Sequence, residues 1–209
     1  EDGAILGTLA IPNQEVQSIY RQQFESALTQ GLGGESQRRD FLAALLAGDT
    51  TRIELHLQTW LLRHASYFDT AQGPQPERFY HGLVLGILVS LGSDYEVRSN
   101  PEAGYGRCDL LITPRAPGRA AVVLELKVAE RRRRETLAGA LRAAEAQLIE
   151  RDYAHAQRAA GTAVHELAVA WQGKQVRVVQ VRRPAGQTRA APAKKTPAKK
   201  QKAPAKKAR

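Results

Sequence analysis

Residues 106–128 read GRCDLLITPRAPGRAAVVLELKV, and this stretch decides which fold the chain can adopt. Residues 108–113 and 121–128 are rich in Leu, Ile and Val, which predicts two strands. Proline and glycine within residues 114–119 predict a hairpin between them. The second strand is almost entirely apolar apart from Glu125 and Lys127, as expected in the centre of a sheet. Because side chains alternate along a strand, Glu125 and Lys127 share one face.

This hairpin brings Asp109 towards Glu125 and Lys127 at one edge of the sheet. A carboxylate and an ammonium are costly to bury unless each has a partner. Two carboxylates can bind a hard divalent cation such as Mg²⁺ (or Mn²⁺) through oxygen, and a bound ion acidifies water and neutralises phosphate charge. The lysine would orient that water or stabilise the developing negative charge. The alternative interpretation is a structural ion pair of Glu125 with Lys127 or Arg107.

Hydrophobic periodicity predicts the elements that flank these two strands. It favours a buried helix over residues 77–91, a strand over 95–99, a long helix over 135–159, and two final strands over 164–171 and 175–182. The order helix, three strands, helix, two strands indicates an α/β fold with a mixed sheet between helices. The sequence thus divides into a helical linker region (1–75), an α/β domain (76–183) and a low-complexity tail (184–209).

The residue series itself is similar to a known family. Residues 106–109 (GRCD) followed by 125–127 (ELK) resemble the motif of the PD-(D/E)XK nuclease superfamily. Residues 11–16 (IPNQEV), 77–82 (ERFYHG) and 99–109 (SNPEAGYGRCD) extend the resemblance to the nuclease-like domain that follows an AAA-ATPase-like domain in many bacterial proteins. The resemblance covers residues 5–182.

The resemblance implies a metal-dependent nuclease with a restriction-endonuclease-like αβββαβ core, and its expected substrate is DNA, with RNA as the alternative. A bacterial cytoplasmic setting and an upstream ATPase-like domain missing from this chain are implied with it. The catalytic residues that it implies are Asp109, Glu125, Lys127, Gln147 and Tyr153. The metal ligands that it implies are Glu77, Asp109 and Glu125. A catalytically idle module of the same fold, which binds nucleic acid or protein, is the alternative, because fold does not establish function.

Several of these residues also have structural interpretations. Glu77 follows Pro76, so it suits the first turn of a helix without any ligand role. His81 is predicted to pack against the sheet rather than to bind metal, since Mg²⁺ prefers oxygen. Gln147 and Tyr153 lie six residues apart, which is not one helical stripe, so they could serve packing alone.

The net charge of +10 is located almost entirely in the tail. Residues 182–209 hold 11 Lys and Arg and no acid, whereas residues 1–181 are nearly neutral. The Lys, Ala and Pro composition predicts a disordered segment that binds phosphates or serves only solubility or targeting. A run of four arginines after the Glu125 strand suggests phosphate contacts or a solvated helix end. The predicted nucleic-acid contacts are Arg107, Arg131, Arg132, Arg133, Lys194, Lys195, Lys199 and Lys200.

Other features exclude several classes of protein. Cys108 is the single cysteine, which excludes an internal disulfide framework and a cysteine zinc cluster. No apolar run approaches the roughly 20 residues of a membrane-spanning helix. The chain contains no methionine, even at position 1, so we expect it to be a fragment or a processed product.

Overall fold

A computed structural model of the chain describes residues 33–63, 76–88, 91–130 and 133–183. The five helices in these ranges are α1 (Glu35–Ala47), α2 (Thr50–Arg63), α3 (Pro76–Leu88), α4 (Leu137–Arg151) and α5 (His155–Ala159). The seven strands are β1 (Tyr95–Ser99), β2 (Glu102–Ala103), β3 (Gly106–Arg107), β4 (Leu110–Pro114), β5 (Ala121–Val128), β6 (Val164–Gln172) and β7 (Gln175–Gln180). Much of the predicted helical linker region, residues 1–32 and 64–75, lies outside the described residues.

The main sheet has five strands in the order β1-β4-β5-β6-β7, and β2 pairs with β3 as a separate small hairpin. Strands β5 and β6 run parallel, while every other neighbouring pair in the main sheet is antiparallel. The first six residues of β5 are buried, because β5 is the central strand and helices cover both of its faces. The predicted α/β class with a mixed sheet, and the restriction-endonuclease-like architecture, are therefore confirmed.

The two faces of the sheet carry separate hydrophobic clusters. Alternate residues of β5, Leu124 and Leu126, pack in the larger cluster with apolar side chains of α1, α2 and α3. Val123 points to the opposite face and packs with Ala144 and Leu148 of α4. Because α1 and α2 share a core with the sheet, they lie against the α/β domain rather than apart from it; the boundary at residue 75 stays a prediction.

The long helix predicted over residues 135–159 is incorrect. Helix α4 begins at Leu137, with the Thr136 hydroxyl capping Gly139 N at 3.1 Å, and it ends at Arg151. Asp152 takes the left-handed conformation (φ 46°), and its buried carboxylate pairs with Arg158 and with Arg183. Helical periodicity alone does not indicate this break, because one of the charges that stabilise it, Arg183, comes from a distant part of the chain.

None of the helices in the described ranges has the length and hydrophobicity needed to cross a bilayer.

Candidate active site

Asp109 and Glu125 meet where β4 and β5 stop pairing. The register of these two strands ends at the Leu110–Leu124 pair, but β5 continues to Val128 alongside β6. The Asp109 carboxylate accepts a hydrogen bond from Leu126 N at 2.7 Å. The Asp109 side chain thus accepts the hydrogen bond of a backbone N–H group that would otherwise pair with a neighbouring strand. Divergence of the two strands therefore places the Asp109 carboxylate beside β5.

Glu125 is a buried carboxylate with only one oxygen satisfied. Its side chain is 1% exposed, and Oε1 accepts a hydrogen bond from Lys127 Nζ at 2.7 Å. Its other oxygen, Oε2, is buried and has no hydrogen-bond partner among the described residues. Burial, followed by the Asp109 carboxylate, raises the pKa of Glu125 to about 7, although Lys127 opposes this and Glu77 adds to it. The site holds more negative charge than one lysine neutralises.

Lys127 opens onto a cavity of about 350 Å³ between the start of α3 and the carboxyl end of β5. The Lys127 side chain is 29% exposed, so its ammonium group reaches solvent while it contacts Glu125. Helix α3 supplies one wall of the cavity, and β5 and β6 supply another. The lining residues are Glu77, Arg78, Tyr80, His81, Gly82, Asn100, Asp109, Leu126, Lys127, Val128 and Trp171.

The oxygen atoms at this point fit a divalent cation. An unpartnered buried carboxylate oxygen needs a compensating group, and Glu125 Oε2 lies on a side chain beside a second carboxylate, that of Asp109. Within the ranges that the structure describes, no three His, Cys, Asp or Glu side chains form a complete metal-ligand set. Mg²⁺ is commonly held by one or two carboxylates, with water and substrate phosphate filling the remaining positions. Glu77 lines the same cavity, and its role as a ligand stays a prediction.

Gln147 and Tyr153 come together on the other side of the site. Gln147 Nε2 donates a hydrogen bond to the Tyr153 hydroxyl at 2.7 Å. The end of α4 at Asp152 allows this contact, because Tyr153 lies after the end of α4 instead of farther along the same helix. Burial raises the pKa of Tyr153 to about 12, and the charges of Glu125 and Asp109 contribute. The pair thus stands near the two carboxylates, and a catalytic role for it stays a prediction.

The predicted nucleic-acid contacts are only partly described. Arg107 is exposed on β3 and lines a groove of about 490 Å³ together with Gln147, Arg151 and Tyr153. Arg133 is exposed and pairs with Glu130 at 3.3 Å, in a turn before α4 begins. Arg131, Arg132 and the tail lysines lie outside the described residues.

The sequence interpretation assigned no role to Ser99 and Asn100, and it treated His81 as a packing residue. His81 Nε2 shares a hydrogen bond with Ser99 Oγ at 2.8 Å, and Asn100 Nδ2 donates to the same oxygen at 3.1 Å. His81 and Asn100 both line the cavity that Lys127 faces. Asn100 has a positive φ of 51°, and the Asn-Pro pair in the sequence is the signal that could have indicated a backbone bend here.

Two carboxylates and a lysine thus lie together at the central strand of a mixed α/β sheet, an arrangement that suits a divalent cation and an anionic ligand. A family model for the PD-(D/E)XK nuclease superfamily matches residues 75–181, and the chain belongs to that superfamily. Its members generally use divalent metal ions. No curated protein and no solved structure shows significant similarity to the chain.

Proposed function

We propose that this protein is a metal-dependent nuclease that hydrolyses phosphodiester bonds of DNA, with Mg²⁺ or Mn²⁺ as its cofactor. The observation that carries the proposal is the meeting of Asp109 and Glu125 beside Lys127 and next to an open cavity, with Glu125 Oε2 left without a partner in the part of the chain that the structure describes. A purely structural ion pair would satisfy both oxygens of a buried carboxylate.

Each residue of the site has a distinct task in this proposal. Asp109 and Glu125 supply the carboxylate oxygens that hold the ion, and Glu77 reaches it from α3. The bound ion lowers the pKa of water and offsets the charge of the phosphate. Lys127 orients the attacking water or stabilises the developing charge, since its ammonium is partly exposed beside Glu125. Gln147 acts through the Tyr153 hydroxyl on the region around the scissile phosphate.

The nucleic acid approaches over surfaces on both sides of the carboxylates. The cavity that Lys127 faces lies beside α3, and the groove that Arg107 lines lies beside α4. Arg107 and Arg131–Arg133 contact backbone phosphates, which position the substrate without reading its sequence. Lys194, Lys195, Lys199 and Lys200 add non-specific affinity through counterion release. An upstream ATPase-like domain, on the basis of the residue series at 11–16, and a bacterial cytoplasmic setting, on the basis of the wider resemblance, complete the proposal.

Cleavage of supercoiled plasmid and of single-stranded DNA and RNA, with Mg²⁺, with Mn²⁺ and with chelator, tests this proposal. Asp109→Asn and Glu125→Gln should each abolish cleavage in a folded protein. Glu96→Gln, which changes an exposed carboxylate on β1, is the matched control and should keep wild-type activity. Binding of DNA without cleavage under either metal would refute the catalytic proposal and favour the idle binding module. Cleavage that survives in the Asp109→Asn, Glu125→Gln double variant would exclude this site.

A further inference from the structure

The pairing of β1 with β4 ends beside Asp109, which carries one of the two carboxylates. Strand β1 pairs with β4 as far as Ser99 opposite Leu110, and Asn100 N then donates to Asp109 O at 2.8 Å. Beyond this point the chain leaves the main sheet, and β2 pairs with β3 as a separate hairpin. The bend therefore lies at Asn100 on one side of the ladder and at Asp109 on the other.

Asn100 supplies the backbone conformation that this bend requires. Its φ of 51° lies in the left-handed region, where asparagine is tolerated better than most residues other than glycine. The following residue is Pro101, which restricts the backbone of Asn100 further. Uncommon backbone conformations persist only where surrounding contacts hold them, and local bends beside active sites re-aim side chains. The contacts that hold Asn100 are therefore informative about the site.

One hydroxyl group, that of Ser99, ties the bend to helix α3. Ser99 Oγ accepts a hydrogen bond from Asn100 Nδ2 at 3.1 Å, and it shares a second hydrogen bond of 2.8 Å with His81 Nε2. A hydroxyl has one hydrogen to donate and two lone pairs, so it can make both contacts at once. The bridge joins the helix that lines the cavity to the residue opposite Asp109.

We propose that the His81–Ser99–Asn100 bridge positions Asp109: it holds the bend that directs the Asp109 carboxylate onto Leu126 N and alongside Glu125. Without the bridge, the chain at Asn100 relaxes towards ordinary strand geometry, and the Asp109 carboxylate loses its place at 2.7 Å from Leu126 N. The three bridge residues are positioning residues, because they act through Asp109. The catalytic consequence rests on the proposed nuclease function, whereas the effect on Asp109 itself does not.

Matched variants at two positions separate the bridge from general stability. Asn100→Gly keeps access to positive φ but loses the Nδ2 donor to Ser99, while Asn100→Val loses the same donor and also opposes positive φ, because a β-branched residue is disfavoured there. Ser99→Ala removes the hydroxyl, and Ser99→Thr restores it. Gly118→Val is the control for backbone strain, since Gly118 has φ of 82° in the open turn between β4 and β5.

Two measurements report on Asp109 without any cleavage assay. The exchange rate and proton shift of the Leu126 amide, measured by NMR in metal-free protein, follow its hydrogen bond to Asp109. Mn²⁺ affinity, measured by calorimetry, should fall by about 10–100-fold in Asn100→Val and Ser99→Ala, as is usual when groups behind metal ligands are lost. Asn100→Gly, which loses one contact of the bridge, should give values between these variants and wild type, whereas Ser99→Thr and Gly118→Val should keep the wild-type amide signal and affinity.

An unchanged Leu126 amide in both Asn100→Val and Ser99→Ala would overturn the proposal. Uniformly faster exchange at all core amides, with a lower urea midpoint, would also overturn it, because that pattern indicates a general structural role. A wild-type protein that binds no Mn²⁺ or cleaves no DNA would refute the proposed function, and the Leu126 amide would still decide the positioning role.

Discussion

Glu125→Gln should change the pH dependence of folding in the metal-free protein. Burial and the neighbouring Asp109 raise the pKa of Glu125 from 4.5 to about 7. Between these values the folded protein keeps a proton on Glu125 that the unfolded chain has released. The stabilisation from this proton is present in full below the lower value and is lost as pH rises through about 7. At about 1.36 kcal/mol per pH unit, the difference corresponds to about 3 kcal/mol.

Urea unfolding in chelator, at about pH 5 and about pH 8, measures this contribution. Wild-type protein should lose about 2–3 kcal/mol relative to Glu125→Gln between the two conditions, because glutamine does not titrate. Glu96→Gln is the control, since its carboxylate is exposed on β1 and it should follow the wild-type profile. Adding Mn²⁺ should reduce the pH dependence of wild type, because a cation favours the ionised carboxylate. If the stabilities of wild type and Glu125→Gln in chelator change in parallel with pH, the pKa of Glu125 is not raised in the folded protein.

Four further predictions address the lysine, the stability of α3, the cavity and the tail. Lys127→Ala should lower turnover by about 10²–10³-fold with little change in Mn²⁺ affinity, since its ammonium acts on water or charge; a rate that recovers at saturating metal would contradict this. Gly82→Ala should raise the unfolding free energy by about 0.5–1 kcal/mol in urea denaturation, because Gly82 lies inside α3 with open space around it. Gly82→Phe should fill the cavity and raise KM for DNA, and an unchanged KM would show that substrate does not enter there. Deletion of residues 184–209 removes nine Lys and Arg and should flatten the slope of log K against log salt by up to about 0.9 per lost phosphate contact, whereas an unchanged slope would exclude the tail from DNA binding.

Local patterns are sufficient to predict most strands and the composition of the site. The apolar run at Ala121–Val128, with its two charged residues, indicates a central strand by its composition alone, because burial on both faces leaves few positions for polar side chains. The turn at Gly173 between β6 and β7 is equally predictable, since a hairpin turn depends on neighbouring residues.

The features that arise from distant contacts could not be predicted in the same way. The end of α4 at Asp152 depends on Arg158 and Arg183, and on the hairpin whose Tyr105 N donates to Arg151 O at 2.8 Å. On a continuous helix, residues six apart do not lie on one face. The contact between Gln147 and Tyr153 is nevertheless made, because the helix ends between them.

The residue types of the site and their order along the chain can be taken from the sequence: a carboxylate before a hairpin, then a carboxylate and a lysine on one face of a buried strand. These follow from alternation and hydrophobic patterning, which are local properties. Three features come instead from tertiary packing: Asp109 accepts a hydrogen bond from Leu126 N, Glu125 keeps one oxygen unpartnered among the described residues, and Ser99 links α3 to the bend. Each of these depends on where one strand leaves its neighbour, and that point is set by packing between segments far apart in the chain.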